Sequence, residues 1–136
     1  MRGRNATGLN SPEGRFVLPH VSDSTLEVLV QTVAKVQVAD NCCCGLPAFG
    51  YGDLEAAKKM ARRNIEALEK LKADVVVTEC GSCSAFLKDH GELFHDDSGL
   101  KERAKVLAKK EKGFSEYIED RLPASLATGS ISGKVT

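Results

Sequence analysis

Residues 42–83 read CCCGLPAFGYGDLEAAKKMARRNIEALEKLKADVVVTECGSC, and the order of patterns in this stretch decides the fold. From Asp53 to Leu71 the apolar positions Leu54, Ala57, Ala61, Ile65, Leu68 and Leu71 recur at spacings of three and four, with Lys and Arg on the other face. That period is helical. Asp53 and Glu55 stand at its start, where the helix dipole favours negative charge. Val75-Val76-Val77 follows, an uninterrupted β-branched run that suits a strand covered on both faces, as in a parallel sheet. Cysteines bracket this helix–strand unit: Cys42, Cys43 and Cys44 before it, Cys80 and Cys83 directly after it.

Working outward towards the N-terminus, Val36-Gln37-Val38-Ala39 alternates and predicts a strand running into the first cysteine cluster. Ser24-Thr25-Leu26-Glu27 has the form of a capping box and predicts a helix over 23–34. Phe16-Val17-Leu18 reads as a short strand, and the polar residues 1–15 as a disordered leader. The segment CCCGLPAFGYGD reads as a loop, punctuated by Gly45, Pro47, Gly50 and Gly52. Beyond Cys83 a helix is expected from Ala85 towards Leu93, then a charged amphipathic helix over 100–112 around Leu100, Ala104 and Leu107. A last helix is expected over 114–122, capped by Ser115 and ended by Pro123, before a small, polar tail at 123–136. The alternation predicts an α/β domain over 16–122: a small parallel β-sheet flanked by helices, with both cysteine clusters at the carboxyl ends of strands. That placement brings positions 43 and 80 together.

Nineteen basic residues balance nineteen acidic ones among 136, so no global field recruits nucleic acid or an anionic membrane. With 42% hydrophobic and 28% charged residues the chain reads as an ordinary soluble globular domain. No apolar run approaches the length of a transmembrane segment, and the first fifteen residues lack the apolar stretch of a signal peptide. A cytoplasmic location is expected, including a peripheral position at the inner face of the membrane. In a reducing compartment, five cysteines in two short clusters do not describe a disulfide framework. They describe a metal or redox site. Cys80 and Cys83 have the spacing that lets two sulfurs face one ion, and a helix start behind them favours the thiolate form. Gly45 and Gly81 leave room for backbone N–H groups near sulfur.

The stretch CCGLPAFGYGDLEAAKKMARRNIEAL, followed by DVVVTECGSCSAFLKDHG, resembles the first CCG repeat of two-repeat iron–sulfur proteins. That group includes the iron–sulfur subunit of glycolate oxidase, relatives in lactate utilisation and anaerobic glycerol-3-phosphate oxidation, and the CCG-bearing subunit of heterodisulfide reductase. The 35 residues between Cys44 and Cys80 match the family spacing, and the resemblance spans roughly residues 17 to 122. It implies Cys43, Cys44, Cys80 and Cys83 as ligands of a [4Fe-4S]-type iron–sulfur cluster, with no catalytic residue of the chain's own. It implies an electron-transfer module of a 2-hydroxy-acid (glycolate or lactate) oxidoreductase or a heterodisulfide reductase-like complex. The implied partners are a flavin-containing subunit and either another iron–sulfur subunit or a second CCG repeat. The family's first cysteine would fall within positions 3–11 (GRNATGLNS), which hold none, and GKVT resembles the start of a second repeat. An isolated or truncated first repeat is therefore expected.

Other readings weigh less. Four thiolates suit zinc as well, which makes a non-catalytic, zinc-stabilised interaction domain the alternative. A thioredoxin-like role for Cys80/Cys83 leaves Cys43 and Cys44 unexplained. Cys42 reads as a small buried apolar residue. His90 and His95 are five apart and read as surface histidines, and Lys58, Lys59, Arg62 and Arg63 as a solvated helix face.

Overall fold

The helix expected from the sequence pattern at Asp53–Leu71 is present as Leu54–Leu71, and its first turn shows why it starts there. Asp53 Oδ1 accepts the Ala56 N–H at 3.0 Å, which satisfies a backbone donor with no partner inside the helix. Lys72 ends it in the left-handed conformation, with φ 49°. The helix belongs to a computed structural model that describes residues 5–9, 19–32 and 35–121. In chain order the elements are β1 (Asn5–Leu9), α1 (Pro19–Thr32), β2 (Lys35–Val38), α2 (Leu46–Gly50), α3 (Leu54–Leu71) and β3 (Val75–Thr78). They continue with α4 (Gly81–Asp89), a 3₁₀ turn (His90–Leu93), α5 (Ser98–Ala108), β4 (Glu111–Gly113) and α6 (Phe114–Glu119). The fold is α/β. Among the described residues four strands form one parallel sheet, in the order β2-β1-β3-β4.

The sheet is covered on both faces. Val76 packs on one face with Ala61, Ile65 and Leu68 of α3, Phe86 and Leu87 of α4, and Leu100 and Ala104 of α5. Val75 and Val77 pack on the other with Ala6, Leu29 of α1 and Tyr117 of α6. All four residues of β3 are buried, as the β-branched run predicts. Burying side chains such as Ile65 and Leu68 contributes about 2 kcal/mol each, which makes the α3 face the stronger half of the core. Among the described residues no helix is long and apolar enough to cross a membrane.

Several expectations are corrected. The leader is not disordered throughout: Asn5–Leu9 is a strand, paired with β2 on one side and β3 on the other. Its sequence, NATGL, lacks the alternating β-branched pattern, so the pairing and the burial of Ala6, Thr7 and Gly8 decide its conformation. Helix α1 starts at Pro19, well before the Ser24 capping box, with proline's fixed φ suited to a first turn. The glycine-rich stretch after the cysteines contains the short helix α2. Helix α4 starts at Gly81, four residues earlier than expected, and Ser115 lies inside α6. The charged helix stops at Ala108, and Glu111–Gly113 instead pairs with Val76–Thr78, whose edge is otherwise open. Phe16–Leu18 and the tail at 123–136 lie outside the described residues.

Candidate metal centre

Both cysteine groups leave the sheet at the carboxyl ends of strands that flank β1. Cys42–Cys44 follow β2, and Cys80–Cys83 follow β3. Cys44 and Cys83 are buried, while Cys42, Cys43 and Cys80 are half-buried. The Cys44 sulfur interacts with those of Cys43 and Cys83, and the Cys83 sulfur also with that of Cys80. The four sulfurs named from the sequence therefore form one continuous chain across the two loops.

The second loop is built from its own helix. Cys80 is the residue before α4, its carbonyl accepts the Ser84 N–H at 2.9 Å, and Cys83 sits in the first turn. Burial raises the Cys80 thiol, but the Ser82 hydroxyl and the N–H groups of Cys83 and Ser82 outweigh it and leave it below the usual thiol value. The hydrogen bond from Cys83 brings Cys44 down to about 6, against the effect of burial, with help from the Leu46 N–H. The same bond, together with burial, pushes Cys83 up. Cys44 is thus the thiolate of the pair and Cys83 the thiol that donates to it.

The first loop is held from outside. Asn64, on the buried face of α3 and 2% exposed, accepts the Cys42 N–H at 2.9 Å and donates Nδ2–H to the Cys43 carbonyl at 3.0 Å. The Cys42 thiol also meets Asn64 Oδ1, at 3.3 Å, and the Met60 carbonyl, at 3.6 Å. Cys42 is therefore not merely an apolar filler: burial raises its thiol, more than the nearby Arg63 lowers it, and keeps it a donor. His90 Nε2 lies 2.9 Å from the Cys44 carbonyl. Burial pushes this imidazole below the usual histidine value, so it is neutral at pH 7 and Nε2, facing an acceptor, carries the hydrogen. His90 is 2% exposed, which corrects its reading as a surface residue. Its ring stands edge-on to Phe86 at 5.2 Å, and Phe86 meets Phe49 of α2 at 5.3 Å.

Gly45 closes the loop. Its φ is +98°, and a Cβ there would lie 3.3 Å from the Ala57 carbonyl oxygen, so α3 passes too close for a side chain. The signals for the two supporting residues are weak but present. Asn64 is a polar residue inside the apolar stripe Ala57, Ala61, Ile65, Leu68. His90 lies seven residues after Cys83, two turns along one helical face. His95 is exposed, as expected. Lys59, Arg62 and Arg63 are exposed too, and Lys58 is half-buried.

Among the described residues, no three His, Cys, Asp or Glu side chains stand in the arrangement of a metal site. The donor chemistry nonetheless fits a thiophilic group, with four sulfurs linked one to the next and a thiolate already favoured at Cys44.

A family model for the cysteine-rich domain (CCG) matches residues 12–88, more than half of the chain. The chain belongs to the CCG cysteine-rich family. Lactate utilization protein A of Bacillus cereus (strain G9842) is 33% identical over 118 residues, covering 86% of this chain and 48% of that protein. The protein of the same name from Bacillus thuringiensis (strain Al Hakam) and lactate utilization protein A 2 of Bacillus mycoides (strain KBAB4) are each 32% identical over the same shares. The chain spans about half the length of the curated relatives it matches. No solved structure matches it.

Proposed function

We propose that this CCG domain is an iron–sulfur electron-transfer module of a 2-hydroxy-acid oxidoreductase, and that lactate is the hydroxy acid. The observation that carries the reading is the chain of contacts Cys43–Cys44–Cys83–Cys80, four sulfurs from the two cysteine clusters. The names of the relatives favour lactate over glycolate, and a heterodisulfide reductase-like role has less support. In this reading Cys43, Cys44, Cys80 and Cys83 are the ligands of a [4Fe-4S]-type cluster. One-electron uptake and release is the chemistry such a group supplies when bound. The chain's own residues prepare the site. Cys44 is held as thiolate, Asn64 and His90 fix the backbone that carries Cys42–Cys44, and Gly45 lets that backbone pass close to α3. The start of α4 presents N–H groups towards the Cys80–Cys83 sulfurs, which favours negative charge there.

The proposed partners are a flavin-containing subunit that oxidises the hydroxy acid, and another iron–sulfur subunit or a second CCG repeat. The proposed location is the cytoplasm or the inner face of the membrane.

Purification without oxygen tests this. Brown protein with near-stoichiometric iron and acid-labile sulfide is expected, and Cys44→Ser or Cys80→Ser loses most of both. Colourless protein that retains zinc, and does not change its visible spectrum when reconstituted with iron and sulfide, would establish the zinc-stabilised interaction domain instead.

A further inference from the structure

Between α3, β3, α4 and α5 lies a cavity of about 10 Å³, close to the least that one water requires. Its lining is mostly aliphatic, but Asn64, His90 and Glu111 also face it. Two of these three hold the Cys42–Cys44 backbone. The third comes from the edge strand β4.

Glu111 is 5% exposed. Its Oε2 is satisfied: the Ser84 hydroxyl donates to it at 3.0 Å, and Lys88 Nζ stands 3.5 Å away. Its Oε1 is buried with no partner among the described residues. Buried polar atoms in native proteins nearly always find a partner, either in the protein or in ordered water. An orphaned carboxyl oxygen beside a water-sized cavity is the situation in which water is the partner.

The facing groups have spare capacity. Asn64 Nδ2 uses one of its two hydrogens on the Cys43 carbonyl. His90 donates through Nε2, so its Nδ1 is an acceptor. A dry cavity would need an apolar lining, and these three residues break it.

We propose that one ordered water occupies this cavity and bridges Glu111 Oε1 to Asn64 and His90. Glu111 is then a positioning residue for the cysteine loop, acting through the water and without touching sulfur. The water ties β4 to the backbone of Cys42–Cys44. This site is independent of which metal group the cysteines hold.

A crystal structure of the whole chain at a resolution that shows waters tests the bridge directly. One peak within hydrogen-bond distance of Glu111 Oε1 and of Asn64 or His90 is expected. An empty cavity, or a water touching Glu111 alone, overturns the proposal. Amide hydrogen exchange tests the coupling, because the Cys42 N–H is bonded to Asn64. Glu111→Leu should speed exchange at Cys42 roughly three- to tenfold, the range expected for one weakened hydrogen bond, with α1 amides unchanged. Glu111→Gln keeps a polar atom at the cavity and should restore the slow rate. Equal acceleration in both variants, or no change at Cys42 in either, also overturns it.

Discussion

The two cysteine loops do the same job by opposite means. Cys80 and Cys83 are placed by the helix that begins between them: Cys80 precedes the first turn of α4, Cys83 lies within it, and Ser82 stabilises the Cys80 sulfur from two residues away. Cys42–Cys44 have no helix start of this kind; locally, the Asn41 amide donates to the Cys42 carbonyl at 3.0 Å. Their backbone is held by Asn64, about twenty residues on, and by His90, 46 residues after Cys44. Local placement survives changes elsewhere in the fold. Remote placement makes the first loop depend on the packing of α3 against the His90–Leu93 turn. The first loop is therefore where the site breaks, and the second where it is tuned.

The largest effect is expected for Asn64→Ala. It leaves the Cys42 N–H and the Cys43 carbonyl without their partner, and two unsatisfied groups cost about 3 kcal/mol together. Urea unfolding measures the loss. Exchange protection at Cys42 should collapse while the amides of Ser84 and Leu87 keep theirs, and a uniform loss across α4 would show that the two loops are not separately held. Gly45→Ala comes next, at about 2 kcal/mol, because alanine is strained at φ +98° and its Cβ meets the Ala57 carbonyl. Replacing Gly81, with nothing within 4 Å of a Cβ and no positive φ, should cost well under half as much. That pair of glycine variants measures the difference between the loops in one experiment.

The same asymmetry explains what the sequence can tell. The second loop is legible because its causes are adjacent: Val75–Val77 demands burial on both faces, and the Cys-x-x-Cys spacing follows at once. Helix α3 is legible because a 3.6-residue period runs through eighteen residues with a capping aspartate. The supports of the first loop are not, because a histidine and an asparagine reveal their roles only through contacts distant in sequence. His90 looks like a surface residue when judged by its distance from His95 rather than from Cys83. Strands β1 and β4 escape the sequence pattern for a related reason. Neither NATGL nor EKG has strand character: the first is a strand because β2 and β3 pair with it on both sides, the second because β3 offers it an edge. Asn5–Leu9 lies within the span expected to supply a first cysteine, and it carries Ala, Thr and Gly instead.

Glu111 gives a smaller effect with a definite sign. Burial holds its carboxyl above the usual glutamate value, against the Ser84 hydroxyl and the Lys88 ammonium, which pull it down. The folded state therefore binds this proton more tightly than the unfolded chain does. Its contribution is fully present below the ordinary glutamate pKa and is lost as pH rises through the folded value. Glu111→Gln should remove this part of the pH dependence, so that its stability declines less than the wild type's between acidic and neutral pH. A parallel pair of stability–pH curves would show that the buried carboxyl is not titrating.

The smallest effect belongs to Ser82→Ala. Ser82 is exposed, and its loss should change stability by less than about 0.5 kcal/mol. Its hydroxyl lies 3.3 Å from the Cys80 sulfur and helps to hold that thiol below its usual value. Without it, burial acts on Cys80 with less opposition, and the thiol should move up. Alkylation of metal-free protein with iodoacetamide, followed by mass spectrometry, reads the change as slower labelling of Cys80 near neutral pH. Labelling of Cys43 serves as the control, since the first loop takes nothing from Ser82 among the hydrogen bonds described. Slower labelling at both cysteines would mean that the serine acts on the whole site, and the local character of the second loop would have to be given up.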